Sequence, residues 1–250
     1  MIGRVFKEYN LLDNAIFAYQ KSMEANENAN YSFQIAQIYG EKGDFKKMFE
    51  SYINMVDKSE NYFNLVQRYA SKYITDDSEN EANILFRKTL LRKSASNPKD
   101  VWNVLLSWLF TQQKDYGKSL VQQKALYQRN PTDLGSIFSL GKIAFENKNY
   151  DAAKKCFDFI TEKSSLSEEK IDAFLYISKI AVATKNPETE KLFQSLFNEF
   201  GKNTLTLKLQ VEYADFLTFL ENKPEQAKGI LENALTFSRS KFDKARIKLK

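Results

Sequence analysis

At 250 residues, with 43% apolar side chains and a formal charge of +5, the chain can bury a large core, and its mixed lysine and acid read as a solvated surface rather than a nucleic-acid face. The absence of histidine removes His-dependent triads, His general bases and the common metal motifs, and the single cysteine, Cys156, leaves no disulfide framework or cysteine-based zinc site. Eight glycines and four prolines are too few for the turns of a sheet protein, so the chain is expected to be all-helical.

From the first residue onward the pattern is one of short helices in pairs. Ile2-Gly3-x2-Phe6 reads as the middle of a first helix, and Ala15, Ile16, Ala18 and Tyr19 as its partner. With residue 1 already inside a helix, the chain is expected to be a piece of a longer repeat protein. Ser32-x2-Ile35-Ala36-x2-Tyr39 opens a second pair. There Gly43 supplies a positive φ at the turn and Asp44 caps the next helix. The third pair carries an insertion, Thr75-Asp76-Asp77-Ser78, and Ser78-x-x-Glu81 reads as a capping box. Its acids lack the alternating ligands and central glycine of a calcium loop. The fourth holds Trp102 and Trp108, six apart and so on different faces: one is expected in the core, the other toward a groove.

The fifth pair is the clearest. Ile137, Leu140, Gly141 and Ala144 share one helix face, Glu146-Asn147-Lys148-Asn149 is a tight polar turn, and Ala153, Phe157 and Ile160 share the next face. The sixth starts at Ser167-Glu168-Glu169, as a cap with acid in the first turn, and its second helix at Asn186-Pro187-Glu188. The seventh uses Lys223-Pro224-Glu225 in the same way. Beyond it, Phe242, Ala245 and Leu249 keep helical spacing in a segment rich in Arg239, Lys241, Lys244, Arg246, Lys248 and Lys250.

A small residue of the second helix recurs at Ala15, Met48, Ala82, Ser119, Ala153, Thr189 and Ala227, at intervals of 33 to 38 residues. Four places later stand Tyr19, Tyr52, Phe86, Gln123, Phe157, Phe193 and Leu231. The first helices repeat Gly3, Ala36, Val66, Ser107, Gly141, Ser178 and Ala214. This pattern, with Ile137-x2-Leu140-Gly141-x2-Ala144 and Ala153-x3-Phe157 at its centre, resembles the tetratricopeptide repeat. The units are read as 1–28, 29–60, 61–99, 100–132, 133–166, 167–203 and 204–237, with 238–250 beginning a further helix. The resemblance implies an all-α, right-handed superhelical solenoid with first helices lining a concave side.

Projecting first-helix residues away from the core gives a candidate groove of Gln34, Gln37, Glu41, Asn64, Gln67, Val104, Trp108, Phe138, Lys142 and Phe145. Amides there suit a partner's backbone and rings suit apolar anchors. Family members that grip a C-terminal carboxylate use Lys, Asn and Arg on three successive first helices. Units two to four carry Gln, Asn and apolar residues instead, so that grip is not expected. No phosphate-binding glycine loop or nucleophile elbow is present, and Cys156 has no histidine to activate it. The expected function is a non-catalytic scaffold for a protein or peptide partner, with no cofactor and no metal. Helical-repeat nucleic-acid binding, or a repeat region of a larger enzyme or envelope assembly, is the alternative. No apolar run is long enough to span a bilayer, the longest, Val104 to Phe110, being broken by Ser107, and MIGRVFKEYN lacks the apolar segment of a secretion signal.

Overall fold

The structure, a computed structural model, describes residues 2–26 and 29–249, without the side chain of Arg246. The expectations for Met1, the Arg246 side chain and Lys250 lie outside the described residues. Among the described residues there are fifteen α-helices, one short 3₁₀ turn and no strand. The helices are 7 to 17 residues long. Most are at or below the length at which an isolated helix holds in water, so packing must supply their stability.

The chain divides into two compact units, Met1–Arg129 and Asn130–Lys250. In the first, α1 (Ile2–Glu8) pairs with α2 (Leu12–Ala25), and α3 (Ser32–Glu41) with α4 (Phe45–Lys58). A 3₁₀ turn at Glu60–Tyr62 leads into α5 (Phe63–Ala70), followed by α6 (Glu81–Ser96). Then α7 (Asp100–Gln112) pairs with α8 (Tyr116–Arg129). In the second unit α9 (Gly135–Glu146) pairs with α10 (Tyr150–Lys163), α11 (Ser167–Ala183) with α12 (Thr189–Phe200), and α13 (Leu207–Phe219) with α14 (Pro224–Phe237), and α15 (Lys241–Lys248) rests on α14.

The recurring positions are buried, and at the first and fifth hairpins a glycine among them is where the hairpin closes. All seven second-helix residues from Ala15 to Ala227 and all seven first-helix residues from Gly3 to Ala214 are buried. A methyl group on Gly3 would stand 2.8 Å from the Tyr19 ring, and one on Gly141 would stand 2.8 Å from the Phe157 ring. The first helix therefore lacks a side chain just where the second helix lays its aromatic across. Each large side chain buried this way contributes about 1.5–3 kcal/mol. The fourth hairpin solves the same problem with polar groups. Ser107 Oγ lies 2.9 Å from Ser119 Oγ and accepts from Gln123 Nε2 at 2.7 Å, Ser119 Oγ also lies 2.9 Å from Thr111 Oγ1, and the hydroxyls of Ser119 and Thr111 both donate to the Ser107 carbonyl. Such a network is tolerable inside because its members satisfy one another.

Six of the seven turns place one residue in the left-handed region: Asn10, Gly43, Lys114, Lys148, Lys185 and Asn222. In the first five of these, that residue's N–H donates to the carbonyl three back, and the next residue's N–H to the carbonyl five back, as in Gly43 to Gly40 and Asp44 to Tyr39. These bonds satisfy carbonyls the ending helix would otherwise strand. The next residue then often caps the following helix: Asp44, Asp115 and Asn149 accept from the N–H of Lys47, Lys118 and Ala152 at 3.1 Å. Only Gly43 adopts this backbone without a Cβ penalty. Lys148→Gly is therefore expected to stabilise the chain by about 0.5–1 kcal/mol in chemical denaturation, and Lys148→Val to destabilise it.

Four local expectations are corrected. The helix after the insertion is capped by Asn80, which accepts from Ala82 N–H at 3.0 Å, so Ser78 and Glu81 form no capping box. The buried Asn83 decides this. Its Nδ2 donates to the carbonyls of Thr75 and Asp77 at 2.8 and 2.5 Å, and its Oδ1 accepts from Thr75 N–H at 3.2 Å, pinning the loop and fixing where α6 can begin. Unlike its counterparts, α6 packs mainly on α4 and α7 rather than on α5. Ser167 is the first residue of α11, not its cap; Ser164 Oγ instead donates to Glu169 at 2.5 Å and accepts from Leu166 N–H at 3.0 Å. The second helix of the sixth hairpin begins at Thr189, because Asn186 spends its side chain on a turn, accepting from Glu188 N–H at 2.9 Å. In α15, Phe242 is 77% exposed and Leu249 87%, while Ile247 at 3% packs with Leu207, Val211 and Ala234. Pro224 at the first turn of α14, the acids Glu168 and Glu169 in the first turn of α11, and the Asn149 cap stand as read.

Candidate functional site

In the first unit the projected residues lie on three first helices. On α3, Gln34 and Gln37 are half-buried and Glu41 is exposed; on α5, Asn64 is exposed and Gln67 half-buried; on α7, Val104 and Trp108 are half-buried. Glu41 is already engaged, with Lys7 Nζ at 2.8 Å. Gln34 holds its Oε1 buried with no hydrogen-bond partner. Trp102 is fully buried and its Nε1 donates to the Asn97 carbonyl at 2.8 Å; Trp108 packs on the unit's core, edge-on to Phe86 at 6.2 Å. Both tryptophans therefore take part in packing, Trp102 inside the core and Trp108 half-buried against it.

In the second unit Phe138, Lys142 and Phe145 lie on α9, all half-buried. The two rings belong to a cluster centred on Tyr176 of α11. Phe138 meets Tyr176 edge-on at 5.6 Å and Phe157 at 5.5 Å, and Phe145 meets Tyr176 edge-on at 5.6 Å. Phe157 stacks on Tyr176 at 4.8 Å. Phe138 and Phe145 therefore join one hairpin to the next, leaving Lys142 as the polar group between them. Projection from α9 alone could not see Tyr176.

Charges between first helices are largely paired. Asp172 of α11 meets Lys208 of α13 at 2.9 Å, and Lys179 of α11 lies 3.8 Å from Glu212 of α13. Between second helices Asp57 of α4 takes Lys93 of α6 at 2.6 Å and Lys99 at 2.8 Å, with Asn97 Nδ2 donating to it at 2.8 Å. The hydrogen bonds from Lys93 and Lys99 lower the Asp57 carboxyl to about 2. A carboxyl lowered in the folded state stabilises above its unfolded value, and the gain disappears as pH falls from about 4 toward 2. The clamp is expected to contribute about 1–2 kcal/mol at neutral pH. Asp57→Asn should remove that share and flatten the acid limb of the stability profile, as read by urea midpoints between pH 2 and 6.

Other titratable groups are perturbed for structural reasons. Burial pushes the Tyr52, Tyr116 and Tyr213 hydroxyls up, and a hydrogen bond from Lys114 lowers Asp76. Among the described residues no group of three His, Cys, Asp or Glu side chains could hold a metal ion, and no helix is long and apolar enough to cross a membrane. Clefts include one of about 900 Å³ beside Phe6, Phe17, Tyr19 and Tyr31, and two of about 550 Å³ in the second unit, one over Ile177 and Ile180 and one over Phe197 and Tyr213. Of the ten projected residues, Phe138 lines a cleft, a small one of about 200 Å³ with Leu134 and Ile160.

Paired helices closed by a small residue against an aromatic, repeated along the chain, define a helical-hairpin repeat protein. The family model of the tetratricopeptide repeat matches residues 134–158, the hairpin of α9 and α10. The match covers that one hairpin, and elsewhere the helices of each unit pack largely in consecutive pairs, consistent with a tetratricopeptide-like helical repeat. Tetratricopeptide repeats commonly form helical scaffolds for protein interaction and are typically without catalysis. Among solved structures it is similar to a tetratricopeptide repeat protein from Parabacteroides merdae ATCC 43184, at 13% identity and a TM-score of 0.39, over 98% of this chain and 94% of that one. No curated protein matches.

Proposed function

We propose that the chain is a non-catalytic scaffold that holds a peptide or helix of a partner protein against the first-helix faces of its units, and that the seven hairpins read from the sequence are its repeats. The observation that carries this is the fate of the first helices. Their small residues are consumed in packing, while amides at Gln37, Asn64 and Gln67 in the first unit and the Lys142 ammonium in the second stay at the surface. Amides at fixed helical spacing can pair with a backbone of any sequence, and a rigid surface lowers the ordering cost of binding. Trp108 of α7, half-buried, gives an apolar anchor of the kind that dominates interfaces.

A photoreactive amino acid placed at Gln67 or Lys142 is expected to cross-link a discrete partner from the source cell. The same group at Lys46 or Lys154, exposed on second helices, should give background only. Cross-linking confined to the second-helix positions would remove this reading.

A further inference from the structure

The α5 surface carries a charge pattern that α1, α3, α7, α9, α11 and α13 lack. Asn64, Arg68 and Lys72 follow one another at four-residue intervals, all exposed, on α5 and the turn that continues it. Arg68 Cζ lies 5.2 Å and Lys72 Nζ 4.6 Å from the centroid of the Tyr69 ring, so both cations lean on one aromatic. That ring is held in turn by Phe33 of α3, edge-on at 4.6 Å. Among the described residues neither cation has a carboxylate within ion-pair distance, whereas Lys7, Lys179 and Lys208 on other first helices each have one. Nearby acids are committed: Asp76 to Lys114 at 2.8 Å, and Asp77 to the N–H of Glu79 at 2.9 Å. Two like charges one turn apart repel, and here a ring holds them together without a counter-charge.

We infer that Asn64, Arg68 and Lys72 form the anchor for carboxylate side chains of an acidic segment of a protein partner. The inference rests on the reading of first-helix faces as the docking surface and names the chemistry of what docks. An acid seated between Arg68 and Lys72 relieves their repulsion and gains charge-assisted hydrogen bonds. Gln67 and Asn64 stand beside it for the partner's backbone. A nucleic acid suits the site less well, because both cations already lie over the Tyr69 ring on which a base would stack. The site differs from a grip on a chain terminus: it is two cations on a single helix, placed by an aromatic.

The full chain is titrated, at low and moderate salt, into a fluorescent Glu-rich peptide, its Gln-substituted twin, and a twin with phosphoserine for glutamate. Fluorescence anisotropy is expected to show the Glu peptide binding about tenfold more tightly than the Gln twin, with salt weakening it. Arg68→Gln/Lys72→Gln should lower that affinity about tenfold, while Lys46→Gln/Lys88→Gln, which removes the same charge from second helices, should change it less than about twofold. Tyr69→Phe, which keeps the ring, should bind as the parent does. Equal loss in both double variants would overturn the inference, as would binding of the phosphoserine peptide alone or no preference for glutamate over glutamine. Cross-linking from Gln67 to a partner would survive each of these failures, so the scaffold reading and this one fall separately.

Discussion

Phe157→Ala is expected to lower the unfolding free energy by about 3–5 kcal/mol, the largest effect of any single truncation proposed here. Phe157 is fully buried. It lies across Gly141 on the partner helix, stacks on Tyr176 of the following hairpin at 4.8 Å, and meets Phe138 edge-on at 5.5 Å. One ring thus serves both the closure of its own hairpin and the junction with the next. The surroundings cannot collapse onto the gap, because Gly141 has no side chain to extend and Tyr176 is held edge-on by Phe145. Urea denaturation should show an earlier midpoint, and hydrogen exchange should show α9, α10 and α11 losing protection together. A loss confined to α9 and α10 would mean that the Tyr176 stack does not couple the hairpins.

Asn83→Ala is expected to cost about 2–3 kcal/mol, and Asn83→Asp at least as much. The side chain makes three hydrogen bonds to the backbone of the 71–80 loop, two as donor and one as acceptor. Alanine leaves the Thr75 N–H and two carbonyls without that partner. Aspartate turns an acceptor toward two carbonyl acceptors, so at neutral pH it repels what asparagine held. Exchange of the Thr75 amide gives a local readout: it should become fast in either variant even where global stability is restored by osmolyte. An unchanged Thr75 amide would contradict the loop's dependence on Asn83.

The buried positions of the helices were legible because they repeat. A small residue followed four places later by a large one, returning every 33 to 38 residues, is a signal no single copy carries. What stayed hidden depended on neighbours in space. Periodicity in the last segment marks Phe242, Ala245 and Leu249 as a stripe, yet a helix has more than one stripe, and only the position of α14 selects Ile247. The insertion offers several cap-competent side chains in a row, and Asn83, outside the run, decides between them. Gln123 is the one polar side chain in its recurring series, and the hydroxyls of Ser107, Ser119 and Thr111 that answer it are brought together only by the fold. The projected groove fared unevenly for the same reason. Asn64, Gln37 and Gln67 remain at the surface, while Phe138 and Phe145 meet Tyr176, which projection from α9 could not supply. Arg68 and Lys72 are visible beside Tyr69 in the sequence, but that both lie over its ring is a fact of tertiary structure.

The hairpins are held to draw their order from adjacent hairpins rather than from themselves. A synthetic peptide covering residues 133–166 tests this by circular dichroism. It should give a largely disordered spectrum with no cooperative melt, although the same residues are helical in the full chain. A helical spectrum with a sigmoidal thermal transition would contradict the claim.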